Sequence, residues 1–255
     1  MSPVEGTSGL VLRYLQLTES DETKRYSFAA DFVLVGSGSP RADGETNLLI
    51  NAFITRQLQR FRFDVTNSEQ VSFKASLLEQ QMISWDHMDI SHDVALFNSS
   101  ILSVAFRLQF YFCGTAHPNS RTETLSFLLN PAMQLELSHL FNRHSNYLDV
   151  LSACCVEDLH RQQPQRWSDP LKRAQELKEH QDSWIMAGAG PEFRNFERFS
   201  FNRTGIVFHF DPYRVGSYAE GKYEVFVPAY KLSGVLSREA TNALGWPRDG
   251  ASDEG

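Results

Sequence analysis

The sequence lacks the residues and runs on which several classes of protein depend. It has three cysteines, Cys113, Cys154 and Cys155, and an odd number with two adjacent is no disulfide framework. Cys154 and Cys155 fall in an apolar helical stretch and are predicted to be small core residues. No apolar run has the length of a membrane span, and residues 1–9 lack the basic start and apolar centre of a signal peptide. We therefore expect no membrane span in this chain and no export signal, and the compartment stays open.

Clusters of positive charge and known catalytic signatures are missing too. The formal net charge is −7, and no stretch supplies the grouped Lys and Arg that a nucleic-acid partner requires. The motifs G-x-S-x-G, H-E-x-x-H and G-x-x-x-x-G-K-[ST] do not occur. The Gly36-Ser37-Gly38 segment is predicted to lead into a polar loop rather than the helix that a dinucleotide site needs. The sequence predicts no nucleic-acid partner, no cofactor, no metal and no catalytic residue.

What is present is a series of strand-like runs, rich in the 19 phenylalanines, interrupted by amphipathic helices. Strands are predicted at 10–17, 26–35, 93–97, 101–112, 122–129, 196–201, 206–210 and 223–227. Helices are predicted from Asn47 to Phe61, over 135–141 and 147–160, from Ser168 onward, and at 232–235. This order predicts an α+β fold of mixed or antiparallel sheets with helices packed on one face.

Side-chain periodicity assigns faces to these elements. Phe28, Ala30, Phe32 and Leu34 alternate along one face of the second strand. In the long helix the spacing turns one apolar set inward (Leu49, Ile50, Phe53, Ile54, Leu58, Phe61) and one polar set outward (Arg56, Gln57, Gln59, Arg60). In the run 101–112 the polar residues Ser103, Arg107 and Gln109 share a face, which predicts a central strand with one wetter side.

Two turns that contain glycine and proline are candidate ligand-binding sites. The first is Gly114-Thr115-Ala116-His117-Pro118, at the end of a central strand, where functional side chains are often displayed. Gly114 permits unusual backbone angles, and Pro118 forces residue 117 into an extended conformation. His117 could bind a ligand or carry protons, or it could cap backbone groups of the turn. The two interpretations stay open at this point.

The second turn follows Phe210 and runs from Asp211-Pro212-Tyr213 through Tyr218-Ala219-Glu220-Gly221. Tyr213, Tyr218 and Tyr223 give it an aromatic surface, and aromatic side chains on a rigid turn are good anchors for a protein or a sugar. They are equally suited to capping the end of a sheet. We expect His117, Pro118, Tyr213 and Tyr218 to be ligand-binding residues.

The densest group of possible metal ligands is the segment 85–93, which contains His87, Asp89 and His92. Histidine with carboxylate suits zinc or manganese, but a metal site needs three or four converging ligands. The spacing here matches no established pattern. A polar edge strand or loop is therefore the favoured interpretation of this segment.

Together these residues resemble a known family. The pattern comprises Ile50-Asn51, the turn Gly114–Asn119, the stretch Leu135–Phe141, and the C-terminal series Phe210–Tyr213, Tyr218–Gly221 and Val225–Pro228. It resembles a DUF3298 domain preceded by a DUF4163-like, PdaC-type region. The family turn usually reads Gly-Gly-Ala-His-Pro, whereas Thr115 replaces the second glycine here.

The resemblance implies two intimately associated subdomains, at 10–132 (DUF4163-like) and 133–240 (DUF3298-like). The polar, glycine-rich stretch at 241–255 is expected to be a loose tail. The family is mostly extracytoplasmic and bacterial. It includes the sensing region of a lysozyme-binding anti-sigma factor and regions attached to polysaccharide deacetylases. The resemblance thus implies a non-catalytic binding domain at the cell envelope, with a lysozyme-like protein or a peptidoglycan-type glycan as partner. The alternative is a metal-assisted hydrolase or deacetylase-associated domain in which His117 acts with His87, Asp89 or His92.

Overall fold

The structure is a computed structural model that describes residues 10–36, 40–79, 85–166 and 178–246. Within these ranges no helix is both long enough and apolar enough to cross a membrane. The fold is mixed α+β, with a six-stranded sheet, a three-stranded sheet and six α-helices among the described residues, which confirms the predicted class.

The chain divides into two compact units. Unit 1 contains residues 1–93, 106–123 and 129–133, and unit 2 contains residues 94–105, 124–128 and 134–255. Six strands form the first sheet in chain order: β1 (Val11–Asp21), β2 (Tyr26–Gly36), β3 (Asp86–Phe97), β4 (Ile101–Tyr111), β5 (Asn119–Leu129) and β6 (Ala132–Gln134). Strands β3, β4, β5 and β6 contribute residues to both units. The predicted family regions 10–132 and 133–240 remain predictions.

Unit 1 begins with the antiparallel pair β1–β2, whose register runs from Val11 opposite Gly36 to Asp21 opposite Tyr26. Helix α1 (Pro40–Thr66) packs on β2 through its apolar side, with Ile50, Ile54, Phe61 and Val65 buried. Phe61 contacts the rings of Tyr26 and Phe28 from β2. The predicted alternation holds for Phe28, Ala30 and Phe32, after which Val33 and Val35 are buried instead of Leu34.

Three predictions for this region are wrong. Helix α1 begins at Pro40, so a helix does follow Gly36-Ser37-Gly38, although residues 37–39 lie outside the described residues. Leu49 is exposed. Gln57 is buried rather than exposed, because its side-chain oxygen accepts a hydrogen bond from Arg121 Nη2 at 2.6 Å.

The polar segment 85–93 is not an edge strand or loop. Its residues from Asp86 onward form β3, which pairs in parallel with β2 and lies between β2 and β4 in the sheet. Met88 and Ile90 are buried on one side of it. Helices α1 and α2 (Ser68–Glu79) make the crossover that a parallel pair requires.

Unit 2 contains the second sheet, β7 (Phe199–Phe201), β8 (Gly205–Phe210) and β9 (Tyr223–Pro228), with both neighbouring pairs antiparallel. Helix α3 (Tyr147–Gln162) contributes Leu151, Cys155 and Leu159 to the core, and α4 (Lys178–Ala189) contributes Ile185 and Ala189. The start predicted for α4 at Ser168 lies outside the described residues. Short helices α5 (Ala229–Leu232) and α6 (Arg238–Leu244) follow β9.

One polar residue that was predicted to lie on the more solvent-exposed side of its strand is buried in this core. Ser103 is fully buried, because its Oγ bonds to Ser126 Oγ at 2.8 Å and accepts from the Phe201 backbone N–H at 3.0 Å. The predicted loose tail begins within α6, and Trp246 is buried with its ring near Phe201. Residues 247–255 lie outside the described residues. Cys155 is a core residue as predicted, and burial raises the pKa of its thiol.

Candidate functional site

The first loop, residues 113–118, belongs to unit 1 and is held in place by buried residues beneath its backbone. The Cys113 backbone N–H donates to Asp86 Oδ1 at 2.7 Å, and Asp86 in turn forms a buried ion pair with Lys74 of α2. Lys74 Nζ also donates to the backbone oxygen of Lys24 at 2.9 Å, in the turn between β1 and β2. The loop therefore rests on a charged pair whose two residues are 8% and 0% exposed.

Gly114 shows why this turn requires glycine. Its φ is +93°, and a Cβ there would lie 2.1 Å from Cε1 of Phe73. Thr115 preserves the turn, because its backbone N–H and its hydroxyl both donate to the Phe112 oxygen, at 3.0 and 2.8 Å. The Thr115 hydroxyl thus adds a hydrogen bond to the turn.

His117 is half-buried and Pro118 is exposed. Nδ1 of His117 lies 3.0 Å from the Pro118 oxygen, and a carbonyl accepts only, so Nδ1 carries the proton. This contact corresponds to the backbone-capping interpretation of His117. A ligand role for His117 and Pro118 stays a prediction.

The residues of the alternative metal site are not brought together. His87 and Asp89 share one face of β3, whereas His92 has the parity of the buried Met88 and Ile90. His92 Nδ1 lies 2.9 Å from the Asp31 oxygen, and the His87 ring stacks on Tyr111. Among residues 10–36, 40–79, 85–166 and 178–246, no group of three or more His, Cys, Asp or Glu is placed to hold a metal ion.

The second loop, residues 211–221, belongs to unit 2 and displays an aromatic pair. The Tyr213 side chain is 62% exposed, and its ring centroid lies 5.6 Å from that of the half-buried Tyr218 at an interplanar angle of 33°. Tyr213 has a φ of +69°, which is uncommon for a bulky residue and is strained. Tyr223 does not belong to this surface, because it is 1% exposed.

A network centred on Glu220 shapes this loop. One carboxylate oxygen accepts from the Ser217 backbone N–H at 2.9 Å and hydroxyl at 2.7 Å, and the other accepts from the Tyr223 hydroxyl at 2.6 Å. Burial and this bond to Glu220 raise the pKa of Tyr223. The Arg166 guanidinium lies over the Tyr223 ring, 4.6 Å from its centroid, and donates to the Glu220 backbone oxygen. The loop is a rigid platform for the Tyr213–Tyr218 pair.

Two hollows open on unit 2. One, of about 240 Å³, is lined by Arg194, Asn195, Glu197, Arg198, His209 and Arg214, and we call it the arginine hollow. The other, of about 230 Å³, is lined by Thr124, Ser126, Gln134, Glu136, Phe193, Glu197 and neighbouring residues. Glu197 borders both, so the two are adjacent. Arg214 follows Tyr213 directly, which links the arginine hollow to the second loop.

Strands β7, β8 and β9 also align a serine, a histidine and a carboxylate. Ser200 Oγ lies 2.9 Å from His209 Nε2, and His209 Nδ1 lies 3.5 Å from Glu224 Oε1. The order is that of a hydrolase triad. Ser200 is 2% exposed, however, so its hydroxyl does not face a substrate. The three residues are best explained as a row of polar side chains that contact one another across neighbouring strands.

Sequence comparison matches a segment within the C-terminal half of the chain. Residues 138–230 match the model of the family described as "Protein of unknown function (DUF3298)". These residues form a DUF3298 domain. The second loop lies wholly within the matched residues, whereas the first loop lies outside them. The DUF4163-like assignment of the N-terminal region remains a prediction.

Solved DUF3298 structures share the fold. A DUF3298 family member from Bacteroides fragilis superposes with a TM-score of 0.67 at 16% identity, covering 94% of this chain and 98% of its own. A DUF3298 family protein from Pseudomonas aeruginosa gives a TM-score of 0.51 at 9% identity, covering 91% and 95% of the two chains. At these identities the likeness concerns the fold alone.

One curated relative matches part of the chain. The chain is 20% identical over 154 residues to the peptidoglycan-N-acetylmuramic acid deacetylase PdaC of Bacillus subtilis. The match covers 60% of this chain but 30% of the relative, so this chain spans less than a third of that enzyme's length.

Proposed function

We propose that this DUF3298 protein is a non-catalytic binding domain that recognises a peptidoglycan-type glycan through its second loop. The observation that carries the proposal is the Tyr213 ring, which is 62% exposed although its backbone is held at a φ of +69°. Strain of this kind persists where surrounding structure imposes it, and it concentrates at ligand-binding positions. Exposed aromatic rings supply flat apolar area for the faces of sugar rings.

The choice of a glycan rests on two further points. The distant relative PdaC is named for an activity on peptidoglycan N-acetylmuramic acid, which supports the same polymer as ligand for this chain. The hollow bordered by Thr124 and Gln134 adds a hydroxyl and an amide group beside Phe193, a mixture suited to sugar hydroxyls and ring faces. His117 and Pro118 of the first loop are proposed as a separate contact surface in unit 1.

Calorimetric titration with soluble peptidoglycan fragments tests this function. Wild-type protein is expected to bind them, and Tyr213→Ala to lose at least about tenfold in affinity, as expected for a central aromatic anchor. Tyr230→Ala is the matched control, because Tyr230 is an equally exposed tyrosine (64%) on α5 in the same unit. His117→Ala tests the first loop in the same titration.

The same titration, carried out with a lysozyme, tests the protein partner that the family resemblance implies. If wild-type protein binds a lysozyme and ignores the glycan fragments, a protein partner replaces the glycan in this account. If neither ligand gives heat, or if Tyr213→Ala and Tyr230→Ala behave alike, the proposed recognition surface is refuted.

A further inference from the structure

The arginine hollow is lined by more guanidinium groups than carboxylates, and the three guanidinium groups differ in their partners. Three guanidinium groups and one carboxylate line it, in a chain whose formal net charge is −7. Arg194 pairs with Glu192 at 2.7 Å, and Arg198 forms an ion pair with Asp211. Arg214 differs from both, because it has no carboxylate partner among the residues that the structure describes.

Neutral groups hold Arg214 in place. Its Nη2 donates to the Arg194 backbone oxygen at 3.1 Å and to Asn195 Oδ1 at 2.7 Å. Asn195 is itself 6% exposed and anchored, because its amide donates to the Gly190 oxygen at 2.9 Å. The guanidinium is therefore fixed by one end on a buried, rigid partner. A fixed, half-buried guanidinium that is held by neutral groups is a suitable partner for an anionic ligand.

The size and charge of the hollow select the type of anion. A guanidinium presents a planar fork of N–H donors that matches the two oxygens of a carboxylate. Glu197, which also lines the hollow, would repel a doubly charged phosphate more strongly than a singly charged carboxylate. A volume of about 240 Å³ accommodates a carboxylate together with part of the sugar that carries it.

We infer that the arginine hollow is a carboxylate subsite, in which Arg214 binds the acidic side group of the glycan that rests on Tyr213. This inference depends on the proposed function, and it names the part of the glycan that is recognised. N-acetylmuramic acid carries a carboxylate, whereas N-acetylglucosamine has the same ring without one. The subsite therefore distinguishes a muramic acid unit whose carboxyl group carries no stem peptide from the repeating unit of chitin.

The test compares two disaccharides that differ by the acidic group. These are N-acetylglucosaminyl-N-acetylmuramic acid and N,N′-diacetylchitobiose, each titrated into the whole chain by calorimetry. Because a hydrogen bond to a charged group contributes about 1.5–3 kcal/mol, wild-type protein should prefer the acidic disaccharide by about tenfold or more. Arg214→Gln should bind both disaccharides with the weaker affinity. Arg161→Gln is the control, since Arg161 is an exposed arginine of α3 in unit 2 that pairs with Asp158.

The outcomes separate this inference from the proposed function. If both disaccharides bind wild-type protein equally, the carboxylate subsite is refuted while the glycan-binding function stands. If Arg214→Gln melts like wild type and keeps the preference, Arg214 is not the subsite. If neither disaccharide binds, both proposals fail. The wild-type comparison needs no variant, so a folding defect in Arg214→Gln does not prevent a decision.

Discussion

Gly188 of α4 lies directly against the backbone of Arg214: a Cβ at position 188 would be 2.0 Å from the Arg214 oxygen and 2.8 Å from Val215 Cγ1. The second loop is therefore positioned by a close approach of helix and backbone that only glycine allows. Because Arg214 adjoins Tyr213, this contact also fixes the position of the proposed binding surface on unit 2.

We expect Gly188→Ala to displace the second loop. A backbone atom cannot yield as a flexible side chain can, so the variant should lose about 1–3 kcal/mol of unfolding free energy. Chemical denaturation measures that loss. Gly234→Ala is the control, because nothing lies within 4 Å of a Cβ at that position. Equal midpoints for the two variants would show that the close approach is absent in solution.

The buried ion pair Lys74–Asp86 predicts a large loss of unfolding free energy when one of its two charges is removed. Asp86→Asn retains an oxygen for the Cys113 N–H but leaves the Lys74 ammonium buried without its counter-charge. Such removals cost about 3–5 kcal/mol. The exposed pair Lys24–Asp21 supplies the control, and Lys24→Gln should change stability by less than about 1 kcal/mol. A small effect of Asp86→Asn in urea unfolding would contradict the buried pair.

Glu224 predicts an acid-sensitive contribution to stability. The neighbouring His209, followed by Lys222, lowers the pKa of Glu224 from 4.5 to about 2. A pKa that is lower in the folded state stabilises the fold fully above pH 4.5, and this stabilisation is lost as the pH falls toward 2. Because the carboxylate is 45% exposed, we expect the contribution to be about 1 kcal/mol.

Unfolding at pH 6 and pH 3 checks this expectation. Glu224→Gln should be less stable than wild type at pH 6 and should differ less from it at pH 3. The exposed Glu239→Gln of α6 serves as control and should follow wild type at both values. A constant difference between Glu224→Gln and wild type across this range would exclude the predicted linkage.

The local sequence pattern predicted helices and strands better than it predicted which strands pair with each other. The alternation of Phe28, Ala30 and Phe32 and the helical spacing of Ile50, Ile54 and Phe61 are short-range signals that burial confirms. Strand β3 was misjudged because its polar residues suggested an edge. Its position beside β2 follows from a parallel pairing that spans two helices, and no local pattern encodes such a pairing.

Buried polar residues were missed for the same reason. Gln57 and Ser103 look like surface positions in sequence, yet their partners Arg121 and Ser126 come from distant segments. Each becomes acceptable in the core once its hydrogen bonds are made.

Glycine and proline located both candidate loops, because these residues shape turns through their own backbone preferences. The arginine hollow left a weaker signal. Arg194 and Arg198 are four residues apart, but Arg214 joins them through the fold. The grouping of arginines between positions 194 and 214 is the feature that could have suggested it.

The affinity of Tyr213→Gly for a peptidoglycan fragment tests the central claim most directly. Glycine accepts a φ of +69° without strain, so the variant should gain up to about 1 kcal/mol of stability, which a thermal melt verifies. Its binding should nevertheless fall by about tenfold or more, because the exposed ring is gone. A variant that is more stable yet binds the fragment as wild type does would contradict the account.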